Sequence, residues 1–111
     1  MDHKTAALWY RGAADLGHPE AQNHLGALFY HDQGVAQSYD EAVKWWRLAA
    51  AQGQPEALFM LGTCCARGLG APGDLDEALK LFKRAAAKGF AGAAAEVERL
   101  GAFLATRSGR R

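Results

Sequence analysis

Moving the chain along itself by 36 residues, with no gap anywhere, brings chemically matched residues into register over almost its whole length. Ala21, Ala57 and Ala93 coincide, as do Leu25, Leu61 and Val97, while Gly26 meets Gly62, Gly34 meets Gly70 and Asp40 meets Asp76. Further along each period come Ala6, Ala42 and Ala78, then Trp9, Trp45 and Leu81, then Tyr10, Trp46 and Phe82. Paired alanines follow (Ala13-Ala14, Ala49-Ala50, Ala85-Ala86), and each copy closes on Gly17, Gly53 or Gly89. A period of this length means that one supersecondary unit, unable to bury its apolar side alone, stacks on its own copies.

Within a period the apolar spacing is helical. Ala42, Trp45, Trp46, Ala49 and Ala50 fall on one stripe of segment 39–52, and Ala78, Leu81, Phe82, Ala85 and Ala86 repeat it in 75–88. Ser38 with Glu41, and Asp74 with Glu77, have capping-box spacing, and Asp2 holds the equivalent place before the first stripe. Gly17, Gly53 and Gly89 stand where a left-handed residue ends a helix, and Pro19 and Pro55 stand where a first helical turn tolerates a missing N–H. Gln33-Gly34-Val35 and Leu69-Gly70-Ala71-Pro72-Gly73 read as turns. The spacing predicts six helices, near 3–16, 20–31, 39–52, 56–67, 75–88 and 92–105. The fold class that follows is all-α, a stack of antiparallel helical hairpins.

The order Ala-x3-Leu-Gly-x2-aromatic, Gly-x-Gly-Val, Asp-x3-Ala, two aromatics, Ala-Ala-x2-Gly resembles the Sel-one-like repeats (SLR), relatives of the tetratricopeptide repeat. Residues 21–56 carry it as Ala21, Leu25-Gly26, Phe29, Gly34-Val35, Ala42, Trp45-Trp46, Ala49-Ala50 and Gly53. Residues 57–92 carry it as Ala57, Leu61-Gly62, Gly68-x-Gly70, Ala78, Phe82, Ala85-Ala86 and Gly89. Asp32 departs from the pattern where the first loop glycine is usual, and Cys65 replaces an aromatic. The resemblance implies a right-handed α/α superhelix, one solenoid domain over 1–111, divided into a half repeat (1–20), two repeats (21–56, 57–92) and a C-terminal capping helix with a basic tail (93–111). Glu98 stands where Gly26 and Gly62 admit a second helix, which suits a terminal helix; Arg107, Arg110 and Arg111 are expected in solvent. The half unit at the start leaves the apolar flank around Trp9 and Tyr10 partly unpartnered, as in an excised fragment or a self-associating chain.

Several function classes fall away. Lys+Arg exceed Asp+Glu by 13 to 12, so no global field draws the chain to nucleic acid or anionic lipid. No apolar run reaches the ~18 residues of a membrane span. Asp2, His3 and Lys4 follow Met1 where a signal peptide would be apolar, so the expected compartment is the cytoplasm, or the periplasm for a piece of a secreted parent. The preference for Ala and Arg over Lys and Ile points to a bacterial source. His24 and His31 share a helix face about 10 Å apart, too far for one zinc ion, so no metal or cofactor is expected. Cys64 and Cys65 replace Leu28 and Phe29 in register and read as small core hydrophobes, with Arg67 the one nearby cation. Trp9, Trp45 and Trp46 read as core between hairpins. Lys80, Lys83, Arg84 and Lys88, with Glu77, read as a solvated face of mixed charge. Of the two serines, Ser38 is a helix cap and Ser108 lies in the tail, and no nucleophile elbow, zinc-protease or phosphate-loop motif is present.

What remains is recognition. By the tetratricopeptide geometry that the resemblance implies, the first helix of each unit lines a concave groove. Its open positions are Asn23, Ala27, Tyr30 and His31; then Phe59, Thr63, Ala66 and Arg67; then Ala95, Arg99 and Phe103. Aromatics, amides and arginines separated by small residues suit an extended peptide or acidic motif. The leading expectation is a non-catalytic interaction module for a protein or peptide. The alternatives are a structural unit that self-assembles through its half-repeat end and, by family analogy alone, a β-lactam-binding or β-lactam-hydrolysing enzyme.

Overall fold

A computed structural model describes residues 2–107, so Met1, Ser108, Arg110 and Arg111 lie outside the described residues. Six helices follow one another: α1 (His3–Asp15), α2 (Pro19–Tyr30), α3 (Tyr39–Ala51), α4 (Pro55–Arg67), α5 (Leu75–Ala87) and α6 (Ala93–Arg107). Each packs on the next, and the stack extends 53 Å by 25 Å by 19 Å. No strand occurs among the described residues. The chain is an all-α repeat solenoid.

Three of the caps are those the spacing predicts. Side chains of Asp2, Ser38 and Asp74 accept from the backbone N–H three residues on, at Thr5, Glu41 and Glu77. Asp2 is held below the usual carboxylate range mainly by that hydrogen bond to the Thr5 N–H. Pro19 and Pro55 each open a helix, which starts α2 and α4 one residue before the predicted bounds. Gln54, a cap that the spacing did not suggest, is buried and accepts the Ala57 N–H at 2.7 Å.

Two apolar compartments hold the stack. One gathers Ala7 and Ala14 of α1, Ala21, Leu25 and Leu28 of α2, and Trp45 of α3. The other runs through α3 to α6 around Trp46, Leu58, Leu61, Cys64, Cys65, Leu81 and Phe82. Within each complete hairpin the second helix lies close enough that its aromatic covers a glycine of the first. A Cβ at Gly26 would stand 2.8 Å from Trp46 Nε1, and one at Gly62 would stand 2.9 Å from the Phe82 ring. The Trp46 indole also donates to the Asn23 side-chain oxygen at 3.0 Å and to its carbonyl at 3.2 Å.

Successive units are tied at the helix ends. Gln52, just past α3, donates to the Gly17 carbonyl behind α1 at 2.9 Å, and Arg84 of α5 donates to the Ala50 carbonyl of α3 at 3.2 Å. The turn glycines Gly34 and Gly70, both at positive φ, press on the backbone that opens α1 and α3: a Cβ on either would overlap His3 or Tyr39.

One core assignment is corrected. Trp45 and Trp46 are buried, whereas Trp9 is 69% exposed. Trp45 is covered by α1 and α2 together, and no described helix stands before α1 in the way those two stand before α3.

Candidate functional site

The first helices of the units, α2, α4 and α6, carry the residues that the sequence offers as a binding face. One register position stays open in all three: His31, Arg67 and Phe103, each exposed and each toward the C-terminal end of its helix or just beyond it. Tyr30 is half-buried beside them, its ring against His31 (5.0 Å between centroids), Tyr39 (5.2 Å) and Trp46 (5.4 Å). From the neighbouring unit the Arg67 guanidinium donates to the Tyr30 hydroxyl at 3.5 Å. Among the described residues Arg67 makes no ion pair, so its remaining donors face solvent. A free guanidinium fork over a tyrosine edge is a carboxylate-binding arrangement.

Further along, α4, α5 and α6 enclose a hollow of about 220 Å³ lined by Ala66, Phe82, Glu96, Arg99, Leu100 and Phe103. Phe103 is 53% exposed at its rim, and Arg99 is held there by an ion pair to Glu96 at 3.0 Å. Ala66 keeps the hollow open where the register of Tyr30 would otherwise place a ring.

Other expected groove residues serve the scaffold. Asn23 is buried, accepting from the Trp46 indole and donating to Glu56 at 3.2 Å, so neither end of its amide is open to a partner. Phe59 is half-buried between Phe82 (5.4 Å) and Phe90 (4.9 Å). The Thr63 hydroxyl donates back to the Phe59 carbonyl at 3.1 Å. The sequence reading missed Glu96 and Leu100, although their spacing from Arg99 and Phe103 on one helix would have placed them on the same side. It also missed Tyr39, which opens a second helix and reaches the site only through the hairpin.

The described cysteine and serine side chains are buried or engaged. Cys64 and Cys65 are buried, and burial pushes the Cys64 thiol up to about 11, so it stays protonated at neutral pH. Cys65 is raised for the same reason. Ser38, the one described serine, accepts the Glu41 N–H as a cap. Among the described residues no three His, Cys, Asp or Glu side chains gather to hold a metal ion, and no helix is long and apolar enough to cross a membrane.

Against known proteins, the model of the Sel1 repeat family matches residues 2–18, 19–54 and 55–90. Its two full-length frames begin two residues before those read from the alanine register. A Sel1 repeat protein from Oxalobacter formigenes is 37% identical, with a TM-score of 0.86 over 99% of this chain and 44% of that one. A protective antigen present in uropathogenic Escherichia coli strains, displaying an SLR fold, is 36% identical, with a TM-score of 0.78 over 79% of this chain and 19% of that one. The chain thus spans less than half the length of either solved relative. No curated protein matches.

Proposed function

We propose, from the premise that this chain belongs to the Sel1 repeat family, that it binds a peptide or protein partner along the face of α2, α4 and α6 and carries out no reaction on it. Sel1 repeats are in general protein-interaction modules, and the finer reading rests on side-chain chemistry. The single observation that carries it is the Arg67 guanidinium, set on the Tyr30 hydroxyl without a carboxylate of its own, with an apolar hollow opening at the neighbouring Ala66. The partner segment that fits has an acidic residue for Arg67 and an apolar or aromatic side chain for the hollow beside Phe103. His31, on the same register line, adds a donor at the near end. The buried, protonated thiols and the engaged Ser38 hydroxyl support recognition rather than turnover.

Selection of displayed random peptides against the whole chain tests this. Enriched peptides are expected to pair an acidic residue with a large apolar one. Arg67→Glu, and separately Phe103→Ala, should each weaken a selected peptide about tenfold while leaving the melting temperature nearly unchanged, since both side chains are exposed. Peptides that bind both variants as tightly as the parent would refute the assignment. Tyr30 is a poorer probe, because its ring also supports Trp46.

A further inference from the structure

The hollow between α4, α5 and α6 has an occupied counterpart in the unit before it, and the two differ in chemistry. Ala66 stands in the register of Tyr30, and Phe82 in the register of Trp46. The smaller residue at both places leaves about 220 Å³ open. In the earlier unit the Tyr30 ring fills the seat. It lies 5.4 Å from the Trp46 ring, with His31 and Tyr39 at its edges, and its hydroxyl accepts from the Arg67 guanidinium at 3.5 Å. These partners belong to α2 and the residue after it, to α3 and to α4; none comes from α5. The second seat, on α4, α5 and α6, is therefore complete within the described helices, and it asks nothing of a helix beyond α6.

What replaces each partner of Tyr30 indicates the occupant. Tyr39 becomes Leu75, Trp46 becomes Phe82 and Arg67 becomes Phe103. The fourth, His31, becomes Arg67, whose guanidinium is turned to Tyr30. Glu96 and Arg99, the charges at the rim, are engaged with each other at 3.0 Å. A ring entering here meets a phenyl group where Tyr30 meets a cation, so a phenol hydroxyl would give up its water for no free donor or acceptor. An apolar cavity of about 150 Å³ already admits benzene, so the hollow has room for a phenyl ring. Over Phe82, at the separation Tyr30 keeps from Trp46, such a ring gains a tilted aromatic contact that an aliphatic side chain lacks. We propose that the partner segment inserts a phenylalanine into this hollow, where the chain inserts its own Tyr30 one unit earlier, and that tyrosine is rejected there. The inference rests on the peptide-binding reading above and narrows its apolar or aromatic side chain to one unsubstituted ring.

Selection of displayed random peptides on the whole chain, on Ala66→Phe and on Phe103→Arg separates the two readings. The parent should enrich phenylalanine over both tyrosine and leucine, together with the acidic residue. In Ala66→Phe the new ring fills its own hollow as Tyr30 does, so the acidic preference should remain and the phenylalanine preference disappear. For a peptide selected on the parent, exchanging its phenylalanine for tyrosine should weaken binding roughly tenfold by titration calorimetry. Phe103→Arg places at the hollow the guanidinium that Arg67 gives Tyr30, so the same exchange should there cost no more than about twofold. That readout is a ratio, so it stands whatever the variant does to overall affinity. Phe103 is 53% exposed, so this variant keeps the fold and decides the matter if Ala66→Phe does not fold. Phenylalanine enriched no more than tyrosine or leucine, a folded Ala66→Phe that still selects it, or a tyrosine penalty equal in the parent and Phe103→Arg would each overturn the proposal. Peptides chosen for the acidic residue alone would leave the Arg67 reading standing and remove this one, and a selection that enriches no peptide would remove both.

Discussion

The two complete hairpins, α2–α3 and α4–α5, are built on one plan with different parts, and their differences separate requirement from preference. Both place a glycine under an aromatic ring. In the first the ring is Trp46, whose indole N–H is tied to Asn23; in the second it is Phe82, which has no polar tie and leans on Phe59 instead. The close approach is required, and how the ring is anchored is free to vary. The loops teach the same lesson. Gly68 takes the left-handed conformation at φ 70 with no side chain, whereas Asp32 takes it at φ 59 and uses its carboxylate to accept the Gln37 N–H at 2.9 Å.

The largest effects should come where backbone meets backbone. Gly70→Ala combines an unfavourable positive φ with overlap against Tyr39, and should cost about 3 kcal/mol or more in urea unfolding. Gly34→Ala makes the same error against His3, but α1 has a described helix on one side only and can shift, so its cost should be smaller by about 1 kcal/mol. Equal costs would mean that α1 is as firmly held as α3.

Beneath the rings the order is expected to reverse in favour of the second hairpin. Gly26→Ala drives a methyl into the Trp46 N–H that Asn23 holds, costing about 2–3 kcal/mol, while Gly62→Ala asks Phe82 only to tilt, costing about 1–2 kcal/mol. Thermal unfolding of the pair checks this, and a larger loss at Gly62 would remove the indole tie from the account. The loop exchange should be the mildest. Gly68→Asp should cost up to about 1 kcal/mol, and Asp32→Gly should stay within about 0.5 kcal/mol of the parent, since relief at positive φ offsets the lost bond to Gln37.

Much of the candidate site was legible because register fixes it. His31, Arg67 and Phe103 occupy one position of the period, and the helix that carries each was evident from spacing alone. Asn23 and Phe59 share the other line of that face and were read the same way, yet both are drawn inward. What claims them is an indole and a phenyl ring from other helices and a second phenyl ring, Phe90, from the connection between α5 and α6, and spacing within one helix carries no information about those rings. The hollow beside Phe103 was invisible for the same reason, being made by the absence of bulk at Ala66 opposite residues of α5 and α6. Trp9 shows the converse: identical pattern to Trp45, opposite environment.

By itself the amino-acid order determined the helices, their caps and turns, the period and the hairpin stack, because each depends on interactions a few residues apart or on a repeat that must pack against itself. Only the tertiary structure decided which open positions remain open, which polar groups are already satisfied, and where the apolar surface is left over. Those outcomes depend on which distant side chain arrives at a given place, and burial is a property of the assembled neighbours rather than of the residue.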